Sequence, residues 1–519
     1  MKKIVLSNNV KKMIKIVVIA LCVIAVVIGA SLGTYYGVVA NEVTITVDDT
    51  ITYQQIKGFG ASSAWTFQTL GKVEDETIKD EIIEMLYGDS GMQLSIFRYN
   101  VGAGSIEVKD KNVYDDEERM SESFFISENY VDNSSFNDVS NYDFTRDKEV
   151  IDLMKKSLAL GNINKVVLFA NSPHYLMTES QMATGEVEYQ NNLRVDAFEA
   201  FSNYMLIISN YIYENIIKPI NPNIEVYISQ VNEPQWRWGG QNASQEGCHY
   251  DPEHLAAFYD VFYAKTKEFN KNNNTNFVMD IFESGNYKLY HKRDVKKYLA
   301  AFSKYEWFDE IDEISVHSYG GEDYIDTKTK FANFMNKNYP DISVSVSEFC
   351  EMEWGRFDTM RSGLFLARVI ARDLRIINAT EWSWWLAVSS GDYNDGLVYW
   401  DHDESLTQNE ISVLKRYYTM SHFSKYLQEG DVHIDTKNSD TLMWADVETC
   451  AFKREDGTKI IYLINSSTSS RKVVLNGISG SGSKIVTSEN ETLKEYEIEL
   501  KSGDVLELGA ESIVTLVVK

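Results

Sequence analysis

The chain is short of proline, cysteine and histidine, with 6, 4 and 8 of each in 519 residues, and each shortage excludes something. So little proline rules out a collagen-like or proline-rich extended chain. The cysteines, Cys22, Cys248, Cys350 and Cys450, are widely spaced and form no CxxC pair, which argues against a disulfide framework or a zinc site. Cys22 lies in an N-terminal apolar run, so an exported remainder keeps the other three and at most one intramolecular bridge can form. No HExxH brings histidines to metal-ligand spacing, and no GxGxxG follows the first predicted strand to favour a dinucleotide fold. Basic residues are also in deficit. With 50 Lys and Arg against 77 Asp and Glu, the formal charge is −27, which argues against a nucleic-acid partner held by phosphate neutralisation.

Apolar residues make up 44% of the chain and aromatics 13%, the composition of a large globular protein. The 10 Trp and 31 Tyr pack cores and also suit surfaces that stack on sugar rings. At the N-terminus Lys2, Lys3, Lys11, Lys12 and Lys15 precede an almost unbroken apolar stretch over 16–32. This predicts an export segment over 1–40, either a signal peptide cleaved after Val38-Val39-Ala40 or an uncleaved membrane anchor. Leu21 before Cys22 leaves no lipobox. In both cases the remainder is translocated, giving an extracellular or cell-surface protein.

From residue 42 short apolar runs alternate with helix-period segments. Strands are predicted over 56–62, 94–101, 165–171, 225–232, 277–283, 313–319, 343–349 and 380–386, with amphipathic helices between them. Eight such units spread over about 360 residues predict a (β/α)8 TIM barrel, an α/β fold, in preference to an open doubly wound sheet. The last hundred or so residues turn β-rich and predict a small antiparallel sandwich. The strand-like 43–47, which has no βα partner, is assigned to that sandwich. The domains are therefore expected at 41–55 (the strand joining the sandwich), 56–420 (the barrel) and 421–519 (the sandwich). An acidic insertion over 105–146 reads as a solvated surface loop, a cleft rim or a calcium-binding segment.

In TIM barrels chemistry sits at the C-terminal ends of the strands. The fourth predicted strand ends Val231-Asn232-Glu233-Pro234, and the seventh ends Ser347-Glu348-Phe349. Three strands apart on one face of the barrel, Glu233 and Glu348 can confront each other across its mouth. Two carboxylates flanking a cleft are what cleavage of a glycosidic bond requires: one protonates the departing oxygen and the other attacks or stabilises the oxocarbenium-like carbon.

With these motifs the sequence resembles the retaining glycoside hydrolases of family 30. The resemblance is carried by Gly58-Phe59-Gly60-Ala61-Ser62, Phe97-Arg98-Tyr99-Asn100, Ala170-Asn171-Ser172-Pro173, Val231-Asn232-Glu233-Pro234-Gln235-Trp236, Val316-His317-Ser318-Tyr319, Ser347-Glu348-Phe349 and Trp382-Ser383-Trp384-Trp385, each at a predicted strand end. It implies that Glu233 is the acid/base, kept protonated by a neighbouring carboxylate, and that Glu348 is the ionised nucleophile. It further implies that Asn232 binds the sugar 2-hydroxyl, that Arg98 and Tyr319 hold Glu348, that His317 and Asn171 line the first sugar subsite and that Trp384 forms its floor. Trp65 and Trp236 are expected as further substrate-binding residues. The mechanism calls for no cofactor or metal, and the partner is a polysaccharide or oligosaccharide bound by a monomer. The stretch 235–250, with Gln245-Glu246-Gly247-Cys248-His249-Tyr250, most resembles the endo-β-1,6-galactanase branch. Neighbouring β-1,6-glucanase, xylanase, β-glucosidase or glucosylceramidase-like and β-fucosidase branches stay open. So does a reading of another class, a surface carbohydrate-binding protein without turnover.

Overall fold

The computed structural model describes residues 42–111, 114–289, 295–439 and 446–519. The expected leader over 1–40, with Cys22, lies outside them. The strands are β1 (Glu42–Gln55), β2 (Gly58–Ser62), β3 (Ile96–Asn100), β4 (Lys165–Phe169), β5 (Glu225–Ser229), β6 (Val278–Met279), β7 (Glu313–His317), β8 (Ser343–Glu348) and β9 (Ala379–Ser389). From β2 to β9 they are the eight parallel strands of a barrel. Neighbours pair from β2 through β6 and from β7 through β9 back to β2. The seam between β6 and β7 is closed by an isolated bridge, Ser284 to Val316. Every residue of β2, β3, β4 and β9 is buried, as expected of parallel strands covered on both faces. Alternation along β3 sends Phe97 outward against Phe67 and Tyr87, and Arg98 into the barrel.

Two features fall outside the eight-unit pattern. A hairpin, β10 (Gly396–His402) and β11 (Asn409–Val413), extends the sheet beside β9. The insertion 105–146 is a packed lobe whose Phe125 stacks on Phe136 at 4.0 Å over His174. Its acids Asp116, Asp132, Asp138 and Asp143 accept the backbone N–H of short turns, so these four serve local capping.

The C-terminal strands are β12 (Val432–Asn438), β13 (Val447–Lys453), β14 (Lys459–Asn465), β15 (Arg471–Asn476), β16 (Gly480–Thr487), β17 (Lys494–Leu500), β18 (Asp504–Leu508) and β19 (Ser512–Val518). With β1 they make one hydrogen-bonded path of nine strands, folded over a shared core that includes Ile45, Leu463, Leu475, Leu500 and Leu516. The N-terminal strand lies between β12, antiparallel, and β15, parallel. The helix Lys415–Tyr426 runs through position 420, between the barrel and the sandwich. Its buried His422 is held by the hydroxyls of Thr515 and Thr487 at 2.7 and 2.9 Å. The helix Met360–Ile376 meets the sandwich through Arg372, whose Nε donates to Glu448 at 2.8 Å. Cys248, Cys350 and Cys450 are free and buried. Among the described residues no helix is long and apolar enough to cross a membrane.

Candidate active site

Glu233 and Glu348 meet at the C-terminal mouth of the barrel, one from the loop after β5 and the other closing β8. Oxygens of both carboxylates and a nitrogen of His317 all lie within 4.8 Å of one another. Glu233 has φ 47 and Glu283, in the loop after β6, has φ 49, a left-handed backbone that costs a glutamate energy and marks a constrained site. The two loops are tied together, the amide of Glu233 donating to the carbonyl of Glu283 at 2.9 Å.

His317 is the hub. Its Nδ1 lies 2.9 Å from Glu233 Oε1 and 3.5 Å from Glu348 Oε1, and its Nε2 lies 2.8 Å from Glu283 Oε2. Burial by itself would strip the ring of its proton, but the charge of Glu348 and hydrogen bonds to Glu233 and Glu283 push the imidazole up to about 10. Both ring nitrogens therefore donate. The same trio is the one group among the described residues with atoms close enough to share a metal ion, and His317 would have to give up its Nδ1 proton to act as a ligand.

Arg98 is the second hub. Nη1 donates to Glu348 Oε2 at 2.7 Å, while Nη2 lies 3.2 Å from Asn232 Oδ1 and 3.3 Å from Glu283 Oε1. Tyr319 donates to Glu348 Oε1 at 3.2 Å. Asn232 passes its Nδ2 to Asn171 Oδ1 at 3.1 Å, and Asn171 donates to Asn100 at 3.3 Å. Asn171 thus stands behind Asn232 and fixes its amide. For Glu348 burial outweighs the pull of His317 and Arg98 and pushes the carboxyl up, so the ionised form that the resemblance implies depends on those two cations. Glu283 goes the other way: although burial opposes it, Arg98, His317 and Ser347 hold its carboxyl down at about 2.

Trp236 is half-buried beside Glu233. A Cβ at Gly285 would lie 2.3 Å from Trp236 Nε1 and 2.8 Å from Glu233 Oε1, so this close approach needs glycine. Trp65 is 9% exposed, edge-on to Trp385 at 5.2 Å and covered by Arg119 at 4.8 Å. Trp384 needs correction. It has no exposed surface, its indole N–H donates to the Asp395 carbonyl, and its ring packs on Phe349 and Trp382, so it offers no floor to a sugar. Trp385 is the one beside the site, with its ring 5.7 Å from the Arg98 guanidinium. The reason is a register shift: Ala61 pairs with Trp384 but Ser62 with Leu386, leaving Trp385 as the extra residue of a bulge.

The residues missed from the sequence are Glu283 and Trp385. A signal for Glu283 was present, since the fifth predicted strand ends on that glutamate. The 245–250 motif turns out to be scaffolding. Buried Glu246 accepts from Ser105 Oγ at 2.6 Å and from the Ala103 amide at 3.3 Å, and burial pushes its carboxyl up to about 7. His249 Nδ1 is bonded to the Trp236 carbonyl at 2.7 Å.

Residues 42–399 match the family described as O-Glycosyl hydrolase family 30, and residues 430–516 match the Glycosyl hydrolase family 30 beta sandwich domain. An endo-beta-1,6-galactanase of Hypocrea rufa is 23% identical over 422 residues, 78% of this chain and 79% of that protein. The crystal structure of a conserved exported protein from Bacteroides fragilis superposes with TM-score 0.75 at 23% identity, covering 92% of this chain and all of that one. The catalytic domain of a family 30 xylanase C from Talaromyces cellulolyticus gives 0.68 at 19% identity, again over 92% of this chain and all of that one. With this barrel, this sandwich and these paired glutamates, the chain belongs to glycoside hydrolase family 30 and is a glycoside hydrolase.

Proposed function

We propose that the protein is a retaining endo-β-1,6-galactanase, exported to act on arabinogalactan side chains. The observation that carries the retaining reading is the closeness of Glu233 and Glu348. One oxygen of each within 4.8 Å of the other supports the roughly 5–5.5 Å carboxyl spacing of double displacement over the about 6.5–9.5 Å of inversion.

In the first step Glu348 attacks the anomeric carbon while the glycosidic C–O bond breaks, and Glu233 gives its proton to the leaving oxygen. His317 Nδ1–H occupies Glu233 Oε1, which leaves Oε2 to carry that proton. In the second step Glu233 takes a proton from water. The water oxygen bonds the anomeric carbon, the Glu348 ester breaks, and configuration is restored. Arg98 and Tyr319 orient the attacking carboxylate, and Asn232, fixed by Asn171, is aimed at the sugar 2-hydroxyl, a contact that strengthens in the transition state.

The galactan assignment is supported by the Hypocrea rufa relative. Export is supported by the lysine-flanked apolar run over 16–32. The decisive experiment is a chromatographic product profile on arabinogalactan, β-1,6-glucan, glucuronoxylan and aryl β-glycosides. Oligosaccharides from β-1,6-galactan and from none of the other polymers are expected. Release from another polymer alone moves the protein to that substrate, and no release from any substrate overturns turnover altogether.

A further inference from the structure

Beside the nucleophile lies a cavity of about 1030 Å³ that the mechanism above does not use. It is at the upper end of the ~300–1,000 Å³ typical of ligand sites. It opens between the loop after β8, the helix Met360–Ile376 and the sandwich, which contributes Ser466 and Glu511 to the lining. Tyr319 and Cys350 line it as well. Since Tyr319 Oη touches both Glu348, at 3.2 Å, and Cys350 Sγ, at 3.5 Å, the cavity begins one side chain away from the Glu348 carboxylate.

We infer that this cavity is a distal subsite for neutral sugar residues of the bound polysaccharide, with the sandwich domain forming one wall. The inference rests on the glycosidase reading and extends it to specificity. Three observations carry it. First, the lining couples apolar faces to acceptors. Phe357 and Met352 are 41% and 63% exposed, next to the carboxylates of Glu351, Glu353 and Glu511, the pairing that a sugar's C–H face and hydroxyls require. Second, these apolar side chains sit on a pinned loop. Arg356 grips Asp401 with two bonds of 2.7 Å and donates to the carbonyls of Gly391 and Ser390, and Phe357 N donates to Asn394 at 3.1 Å. A loop held this firmly with its apolar groups outward is preorganised for a ligand. Third, charge selects the occupant. Five carboxylates line the cavity against two arginines, Arg361 and Arg368; Asp323 is paired with Arg368 and Arg372 and Glu351 is held by Ser362 and Asn394, which leaves Glu322, Glu353 and Glu511 facing Arg361. Such a lining accepts from hydroxyls and repels uronic acids.

The test uses the full exported chain carrying Glu348→Ala, so that bound sugar is not consumed, and titrates it calorimetrically with a length series of neutral β-1,6-galactan oligosaccharides. Affinity is expected to rise with length. Phe357→Ala or Glu353→Gln should each remove about a tenfold share of that gain while binding of the disaccharide holds. An oligosaccharide bearing a uronic acid should lose the gain in the parent as well. Length dependence retained in both variants, or absent from the parent, overturns the inference, as does tighter binding of the uronate. Melting curves identify a variant that fails to fold, and the other variant then carries the test. Turnover of aryl glycosides by the unmodified chain is a separate readout, so failure of the glycosidase reading shows there and not in these titrations.

Discussion

His317 donates from Nε2 to Glu283 Oε2 across 2.8 Å, and neither side chain has any exposed surface. Through this pair a buried glutamate outside the proposed chemistry holds the imidazolium that faces both reacting carboxylates. The folded ring titrates near 10 against an ordinary 6.5, so its stabilisation is complete below about 6.5 and is lost as pH rises through about 10. Glu283, held near 2 against 4.5, stabilises above about 4.5 and loses that contribution as pH falls through about 2.

Glu283→Gln should therefore cost roughly 3–5 kcal/mol of unfolding free energy, because Arg98 and His317 lose a buried counter-charge. It should also move the alkaline fall of the melting temperature, and the alkaline limb of kcat, to lower pH. Denaturant titration and a pH profile check both. A variant as stable as the parent with the same alkaline limb would show that Glu283 does not set the charge of His317.

Glu348→Ala is expected to abolish turnover and to be rescued by azide with inverted product. Glu233→Ala should lose about 10²–10⁴-fold on substrates that need protonation and be rescued by azide with retained configuration. Proton NMR of the glycosyl azides distinguishes the two. Wild-type activity in either variant removes that residue from its proposed role.

The two adjacent tryptophans of β9 should separate cleanly. Trp385→Ala, which takes away a ring beside Arg98 and Trp65, is expected to lower kcat/KM at least about tenfold. Trp384→Phe, which loses the bond to the Asp395 carbonyl inside the core, should lower the melting temperature and leave KM in place. The opposite pattern would put Trp384 back in the cleft.

Much of the site was legible in the sequence because parallel barrel strands announce themselves. The runs at 166–171 and 343–348 are apolar or small until a polar residue, Asn171 or Glu348, ends them, and the topology then puts those polar residues on one face. Glu233, Glu348, Arg98, Asn232, Asn171, His317 and Tyr319 do converge. Glu283 was overlooked although its strand ended in the same manner, because a single carboxylate without a visible partner reads like any strand-end acid. The 245–250 motif carries the resemblance to the galactanase branch through side chains that hold loops, Glu246 on Ser105 and His249 on the Trp236 carbonyl.

The sequence by itself determined the barrel, the sandwich with its borrowed N-terminal strand, and the strand ends that bear the chemistry. Periodicity and strand-end residue types are local properties of the chain. Only the tertiary structure decided which side of a strand each residue faces near the mouth. At β8 the register slips so that His317 pairs with Glu348, and Ser347 and Glu348 both reach into the barrel. At β9 it slips again and exchanges Trp384 for Trp385. A bulge reverses the alternation by one residue without changing composition, and where it forms depends on the neighbouring strand. The charge states of His317, Glu283 and Glu348 were decided there too, because they follow from burial and from partners that are 31 to 250 residues apart in the chain.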